Sequence, residues 1–176
     1  MAGVTVKALL ITDLDGKRLF SKFYDKEILK PKQTDIELHV AKSTTSKGNS
    51  ELFLLDKYLV IYKIVSDLII SIITDATENE LFVNNALSCI VDTFGIVFSS
   101  KGFDKKTALE YFDKVAITVD EVIDDGFILD TDPETVANRV NLKGLEGNES
   151  INLSDATITD ALHFAKGSLI NLWRGK

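Results

Sequence analysis

The chain has 176 residues, of which 45% are hydrophobic, and its formal net charge is −7. This length supplies one hydrophobic core with little room for a second, so we expect one domain with a tail. The acidic balance disfavours nucleic acid as a partner. No apolar run reaches the roughly 20 residues that cross a bilayer, and the N-terminus does not resemble a signal peptide, so the predicted location is the cytosol.

Few residues are available for redox or metal chemistry. Cys89 is the single cysteine and has no internal disulfide partner, and the two histidines, His39 and His163, do not make a zinc ligand set. The chain also has no glycine-rich phosphate loop and no Gly-x-Ser-x-Gly or His-Glu-x-x-His motif. We therefore predict no catalytic residues, no metal site and no cofactor.

The first half of the chain has the pattern of short strands. An apolar run from Val4 to Thr12 ends in Asp-Leu-Asp-Gly and is followed by a second run, which predicts a hairpin. Residues 30–50 are polar, with a short helical pattern that predicts a brief helix in a loop. Three further strands are predicted at 52–55, 58–64 and 68–74, and their two-residue separations allow only antiparallel neighbours.

The second half has a helical period. Thr77-Glu78-Asn79-Glu80 has the form of a capping box, and apolar residues then recur at three- and four-residue spacing toward Gly102. Asp104 is the predicted cap of a second helix that ends at Gly126. A shorter helix is predicted from Pro133, and after a link at 144–150 a last amphipathic helix is predicted from Ser154.

Strands first and helices afterwards indicate an α+β fold, in which helices flank a five-stranded antiparallel sheet. The predicted division is a domain over residues 1–143, then a linker and C-terminal helical tail over 144–176.

One motif suggests an enzyme. Haloacid-dehalogenase-type phosphatases place Asp-x-Asp-Gly after an apolar strand, as Asp13 to Gly16 stand here, and use Mg²⁺ with the two carboxylates. Thr74 and Asp124-Asp125 could supply the further motifs. However, Lys17-Arg18 leads straight into a paired strand, and Asp and Gly at this spacing also suit an ordinary turn. We favour the turn and keep the phosphatase as an alternative.

The long helix of the second half suggests binding instead. Wound at 100° per residue, its main apolar stripe is flanked by Phe82, Cys89 and Ile96, so the apolar arc exceeds half of the circumference. A helix that covers one sheet face needs a narrower stripe. The excess is therefore buried either by the later helices or by a partner protein.

Three segments carry a family resemblance. The pattern Gly-x-Arg-Leu-Phe-x-Lys-aromatic-Tyr, at 16–24, resembles the first hairpin of coatomer zeta subunits, which are related to clathrin-adaptor sigma chains. The segment 119–134, Val-Asp-Glu-Val-Ile-Asp-Asp-Gly-Phe-Ile-Leu-Asp-Thr-Asp-Pro-Glu, is similar to the zeta form, whereas sigma chains usually continue Gly-Glu-Ile-x-Glu-Thr-Ser after the shared core. The helix from Ser154 resembles the zeta tail, which sigma chains lack.

This resemblance implies a longin-like fold and a structural function. It implies that the chain binds the gamma large subunit within the COPI coat, together with other coatomer subunits. An Arf-family GTPase would recruit the coat to Golgi membranes for Golgi-to-ER retrograde and intra-Golgi transport. The chain would then lie on the cytoplasmic side of the membrane, which it contacts only peripherally through the complex.

The resemblance also locates a pocket. Sigma chains bind acidic dileucine cargo beside their long helix, at positions that fall here on Ser66, Leu68, Val91, Ser100 and Lys101. Since only Leu68 and Val91 keep an apolar lining, we predict no dileucine binding. The candidate interface residues are Phe82, Cys89, Ile96, Leu68 and Val91. Alternatives to a zeta subunit are a sigma chain, the phosphatase, and a longin-type regulatory domain joined to a GTPase.

Overall fold

The structure is a computed structural model that describes residues 4–46 and 51–148, with side chains over 4–44 and 51–142. Five strands form one antiparallel sheet in the order β2-β1-β5-β4-β3. They are β1 (Val6–Asp13), β2 (Arg18–Phe23), β3 (Leu52–Leu55), β4 (Tyr58–Val65) and β5 (Leu68–Asp75). The predicted fold class is confirmed, and the last three predicted strands agree with the structure to within one residue.

Helices cover both faces of this sheet. They are α1 (Lys30–Ser46), α2 (Glu80–Val97), α3 (Lys105–Glu110), α4 (Phe112–Val122) and α5 (Pro133–Asn148), and a small hairpin of β6 (Ile123–Asp124) and β7 (Phe127–Ile128) lies between α4 and α5. Side chains alternate between the faces because successive residues of a strand point in opposite directions. Leu9 and Ile11 of β1 pack with α2, α4 and α5, whereas Ala8 and Leu10 pack with α1.

The turns of the sheet follow the predicted chemistry. In the first hairpin, the Gly16 N–H donates to the Asp13 carbonyl at 2.9 Å, and Gly16 has φ +81°. A Cβ at Gly16 would lie 2.3 Å from the Cβ of Ala41 in α1, so glycine is required both by the backbone and by the packing. Asp56 and Ser66, the first residues of the two-residue turns on either side of β4, also have positive φ.

Helix α2 ends at Val97 and not at Gly102, and four further differences from the sequence prediction concern the helices. Helix α1 has 17 residues and is not brief. The N-cap of α2 is Asn79, whose side chain accepts from the Leu81 and Phe82 N–H groups, so the cap predicted from Thr77 was wrong. Asp104 does cap the next helix as predicted, but the helix breaks at Tyr111, which closes α3 and opens α4.

The fourth difference lies before Gly126. The predicted helix to Gly126 ends at Val122, and the chain then forms the β6–β7 hairpin, with Asp125 at φ +45° and Gly126 at φ +85°. Ile123 and Asp124 pair with Ile128 and Phe127. Apolar residues in this stretch therefore belong to strands and not to a helical stripe.

The described elements up to residue 144 belong to a compact unit, Met1–Gly144, and a second unit begins at Leu145. Helix α5 continues to Asn148, so the first residues of the predicted link are helical. The predicted helix from Ser154 lies outside the described residues, and the division at 143/144 stays a prediction.

Helix α2 is long and apolar enough to cross a membrane by length and composition. Seven of its residues, among them Val83, Ile90 and Phe94, are buried within the domain. Its composition is therefore that of a core helix.

Candidate protein-interaction surface

The five predicted interface residues differ widely in exposure. Phe82 and Ile96 are 43% and 42% exposed, respectively, and so present apolar surface to solvent. Cys89 and Leu68 are 2% and 0% exposed, and Val91 is half-buried against the core. Only the first two are accessible to a partner in this structure, because α2 is covered along its middle and Leu68 lies at the start of the central strand β5.

Cys89 lies in the core cluster that also contains Val136 and Val140 of α5. The neighbouring Thr93 donates its hydroxyl to the Pro133 carbonyl at 3.4 Å, which holds the start of α5 beside α2. Burial raises the pKa of the Cys89 thiol to about 11, so the thiol is protonated at neutral pH. Cys89 is thus a small apolar packing residue.

Phe82 and Ile96 do not form one continuous patch on α2. They are fourteen residues apart, or about 21 Å along the helix axis. The exposed positions between them on this side of α2 include Asn85 and Asp92, which are polar. Phe82 therefore belongs to the surface at the start of α2, and Ile96 to the surface at its end.

The residues proposed for a phosphatase site are far apart. Thr74 pairs with Val6 at one end of β1, whereas Asp13 ends β1 about seven residues away, which corresponds to about 23 Å. Asp124 lies near the Val6 end, because the Val6 N–H donates to the Gly126 carbonyl at 2.7 Å. The structure does not bring Asp13, Thr74 and Asp124 together.

Asp13 instead stabilises the fold. One carboxylate oxygen accepts from the Lys17 N–H at 2.7 Å, and the other accepts from the Lys105 ammonium at 2.7 Å. The bond from Lys105 holds the pKa of Asp13 below its usual range. The Lys105 N–H also donates to Asp67 at 2.9 Å, so this contact ties the first hairpin and the β4–β5 turn to the start of α3.

An exposed apolar surface that the sequence analysis missed lies on and just after the β6–β7 hairpin. Phe127 is 49% exposed and Leu129 is 60% exposed, whereas the intervening Ile128 packs against the core. This alternation is that of a strand with one face toward water. The signal in the sequence is Asp-Asp-Gly followed by Phe-Ile-Leu, a turn followed by residues that favour strands.

Several contacts anchor this hairpin on the domain. The Leu129 N–H donates to the Val122 carbonyl at 2.9 Å, and Thr5 forms a backbone bridge with Phe127. The Tyr24 hydroxyl donates to the Ile123 carbonyl at 3.3 Å. Burial raises the pKa of Tyr24 well above its ordinary value, so this hydroxyl keeps its proton.

The hairpin and the start of α2 lie at the same end of the domain. The Thr5 N–H and hydroxyl donate to the Glu78 carboxylate at 3.2 and 2.8 Å, respectively, one turn before Phe82. Thr5 therefore connects the β7 strand to the entry of α2. Leu81 and Phe82 at the start of α2, and Phe127 and Leu129 on and after the hairpin, are therefore exposed apolar side chains at this end of the domain.

Three of the five positions equivalent to the sigma-chain cargo pocket make internal contacts, whereas Ser66 and Ser100 are exposed. Leu68 is fully buried, and the Lys101 ammonium donates to the Tyr111 hydroxyl and to Glu110. The absence of dileucine binding stays a prediction.

The comparisons with known proteins give the family. The family model "Clathrin adaptor complex small chain" matches residues 5–146, so the chain belongs to this family. A homology model of the full-length AP-3 complex in a stretched open conformation contains a chain of the same fold, with a TM-score of 0.66 and 17% identity over 82% of this chain and 98% of that chain.

Within the family, the relatives of this chain include coatomer zeta subunits. The chain is 36% identical to human coatomer subunit zeta-1 over 162 residues, which cover 92% of this chain and 89% of that protein. It is 33% identical to coatomer subunit zeta of Saccharomyces cerevisiae over 150 residues, which cover 78% and 77% of the two chains, respectively. The resemblance found in the sequence is confirmed.

Proposed function

We propose that this chain is the small subunit of a COPI-type coatomer and that it works by binding the gamma large subunit, without catalysing a reaction. The observation that carries this proposal is the 36% identity to a coatomer zeta subunit over 92% of the chain. The described architecture supports it, because a sheet covered on both faces by helices makes a rigid body with exposed apolar residues at the ends of α2.

The proposal includes a cellular role. The chain would act in Golgi-to-ER retrograde and intra-Golgi transport, within a coat held on the cytoplasmic side of Golgi membranes. An Arf-family GTPase would reach it indirectly, through the assembled coat. What supports this role is the similarity of the chain to coatomer zeta subunits.

In this proposal Phe82 and Ile96 are contacts for gamma. Each is more than 40% exposed, and an exposed aromatic or large aliphatic side chain gains most when a partner removes it from water. Cys89 and Leu68 would stabilise the fold by packing in the core, and Val91 would pack at the margin of the core.

Co-expression tests the partner. The chain is produced with the coatomer gamma subunit, and separately with a large subunit of a clathrin adaptor, and each mixture is analysed by size-exclusion chromatography. We expect co-elution with gamma alone. Co-elution with the adaptor subunit, together with micromolar binding of an acidic dileucine peptide, would instead identify a sigma chain.

Substitutions test the surface. Phe82→Asp with Ile96→Asp should weaken gamma binding at least tenfold in isothermal titration, while the matched exposed variant Leu109→Asp on α3 leaves it within twofold. Leu109 is 56% exposed and so controls for a charge placed on an apolar surface site. A folded double variant with unchanged affinity would move the gamma contact elsewhere.

A further inference from the structure

We propose that the β6–β7 hairpin with the adjoining residue Leu129 is a docking element for a segment of the large coat subunit that is rich in lysine and arginine and has apolar anchors. This inference rests on the proposed function and adds the chemistry of the contacting segment.

The exposed side chains of the hairpin are not needed to complete the core. Phe127 and Leu129 point to solvent, and Ile128 between them supplies the inward contact. Two large apolar residues on the same face, one residue apart, suit a partner that covers both together. Residues of this kind, when packed at the centre of an interface, contribute most of its binding energy.

The hairpin is fixed in place before any partner arrives. Backbone bonds join it to β1 through Val6, and to the end of α4 through Val122. Gly126 lies so close to β1 that a Cβ there would be 2.8 Å from the Val6 carbonyl oxygen. A surface held in this way loses little conformational freedom on binding, which favours affinity.

The negative charge around the hairpin favours a positively charged binding segment. Residues 115–138 contain seven carboxylates and no lysine or arginine. Lys7 and Lys26 of neighbouring segments line the same cleft as Asp125 and Gly126, and Lys7 is paired with Asp25 and Asp75. The domain neutralises three of the seven carboxylates: Lys22 pairs with Asp120 at 2.7 Å, and Arg139 pairs with Glu121 at 3.2 Å and with Asp130.

Four carboxylates of this stretch remain. Asp124 and Asp125 precede Phe127 in the turn, and Asp132 and Glu134 follow Leu129 within five residues, where Asp132 also accepts from the Thr135 N–H at 3.1 Å. Within the described part of the chain, no lysine or arginine makes an ion pair with Asp124, Asp125, Asp132 or Glu134. An acidic partner would be repelled from this surface, and a basic segment would be steered to it. Apolar anchors would cover Phe127 and Leu129, and cations would face the carboxylates.

Zero-length cross-linking tests this contact. The chain and the gamma subunit are co-purified and treated with a carbodiimide, which joins carboxylates directly to lysine amines, and the linked peptides are identified by mass spectrometry. We expect links from 124, 125, 132 or 134 to lysines of one gamma segment. A complex whose hairpin carboxylates link only within this chain would overturn the inference and leave the proposed function standing.

Two variants separate the apolar and the charged contributions. Phe127→Ser with Leu129→Ser should weaken gamma binding at least tenfold, whereas Leu109→Ser, on an exposed leucine near Lys105 and Lys106, should change it less than twofold. Asp124→Lys with Glu134→Lys should lower the association rate at least fivefold at low salt, with a smaller effect at high salt.

Circular dichroism establishes that each variant is folded before its binding is measured. Unchanged affinity in the serine double variant, or unchanged association in the charge-reversed one, contradicts the proposal. Failure of the unmodified chain to bind any coat large subunit would remove both the proposed function and this inference.

Discussion

The first hairpin and the β6–β7 hairpin have the same turn residues but different surroundings. Each has an aspartate followed by a glycine in the left-handed region, Gly16 at φ +81° and Gly126 at φ +85°. In the first, the Asp13 carboxylate is fully engaged by Lys17 and Lys105. In the second, Asp124 and Asp125 have no ion pair among the described residues, and Phe127 beside them is half exposed.

The two hairpins show that the turn residues determine where the chain reverses. They do not determine whether the turn packs into the fold or stays exposed. The first hairpin joins strands of eight and six residues, and its turn packs against Ala41 of α1. The second joins strands of two residues each, so its side chains have little around them. Stability should therefore depend strongly on the first turn, and binding on the second.

The largest expected effect is that of Gly16→Ala. A positive φ costs a residue with a Cβ about 1–2 kcal/mol, and the clash with Ala41 adds a further overpacking cost of about 1–3 kcal/mol. We expect the free energy of unfolding to fall by about 3 kcal/mol in urea titrations followed by circular dichroism.

Gly95→Ala is the matched control, since nothing lies within 4 Å of a Cβ at this exposed helical position. It should raise the free energy of unfolding by roughly 0.5–1 kcal/mol. A loss at Gly16 no greater than about 0.5 kcal/mol would mean that α1 does not pack tightly on the turn.

The same contrast explains which elements sequence could predict. Strands β3 to β5 were predicted well because their apolar runs alternate with two-residue polar turns. Turns this short allow only antiparallel hairpins, so the local sequence is enough to predict the pairing. Helix α1 was predicted too short because few apolar residues beyond Ile36 and Val40 mark its buried side. Hairpin β6–β7 was missed because Val122 and Ile123 continue the helical spacing of α4 while the chain has already left the helix.

The second prediction concerns Asp13→Ala. It removes a charged acceptor from the Lys17 N–H and the partner of the Lys105 ammonium, so we expect a loss of about 2 kcal/mol. Asp124→Ala, in the other hairpin, should stay within about 0.5 kcal/mol because its carboxylate is exposed and unpaired among the described residues. Equal losses in the two variants would contradict the proposed difference between the turns.

The candidate surface was only partly predictable for a related reason. Helical periodicity identifies Phe82, Cys89 and Ile96 as neighbours of the main stripe, and two of the three are exposed. Periodicity does not say which helices pack together, so the burial of Cys89 in a core that includes residues of α5 could not be predicted. Nor could the burial of Leu68, which depends on β5 being the central strand.

The third prediction is a dependence of stability on pH. The Lys105 ammonium lowers the pKa of Asp13 in the folded domain, whereas in the unfolded chain the pKa is ordinary. The carboxylate therefore contributes stability that is complete above its unfolded pKa and is lost as the pH falls toward the folded value. The stability advantage of the wild type over Asp13→Asn should therefore shrink as the pH falls below about 5.

Urea midpoints of the two proteins across this range provide the measurement. Asp104, Glu110 and Asp130, whose pKa values are also lowered, are present in both proteins, and their contributions cancel in the difference. A constant gap between the two midpoint curves would show that the Asp13–Lys105 contact does not form in solution.

The last expected effect on stability is a small one, that of Phe127→Ser. Since about half of this side chain already lies in water, its loss should cost about 1 kcal/mol or less in urea unfolding. Phe20→Ser, at a half-buried phenylalanine of the first hairpin whose ring centroid lies 5.8 Å from that of Phe112, should cost about 2 kcal/mol or more. The order should reverse in gamma binding, where Phe127→Ser is the damaging change among folded variants. If the loss of Phe127 barely affects stability but weakens gamma binding, its side chain serves the contact with the partner. If Phe127→Ser instead destabilises the domain more than Phe20→Ser and weakens gamma binding less, Phe127 is a packing residue.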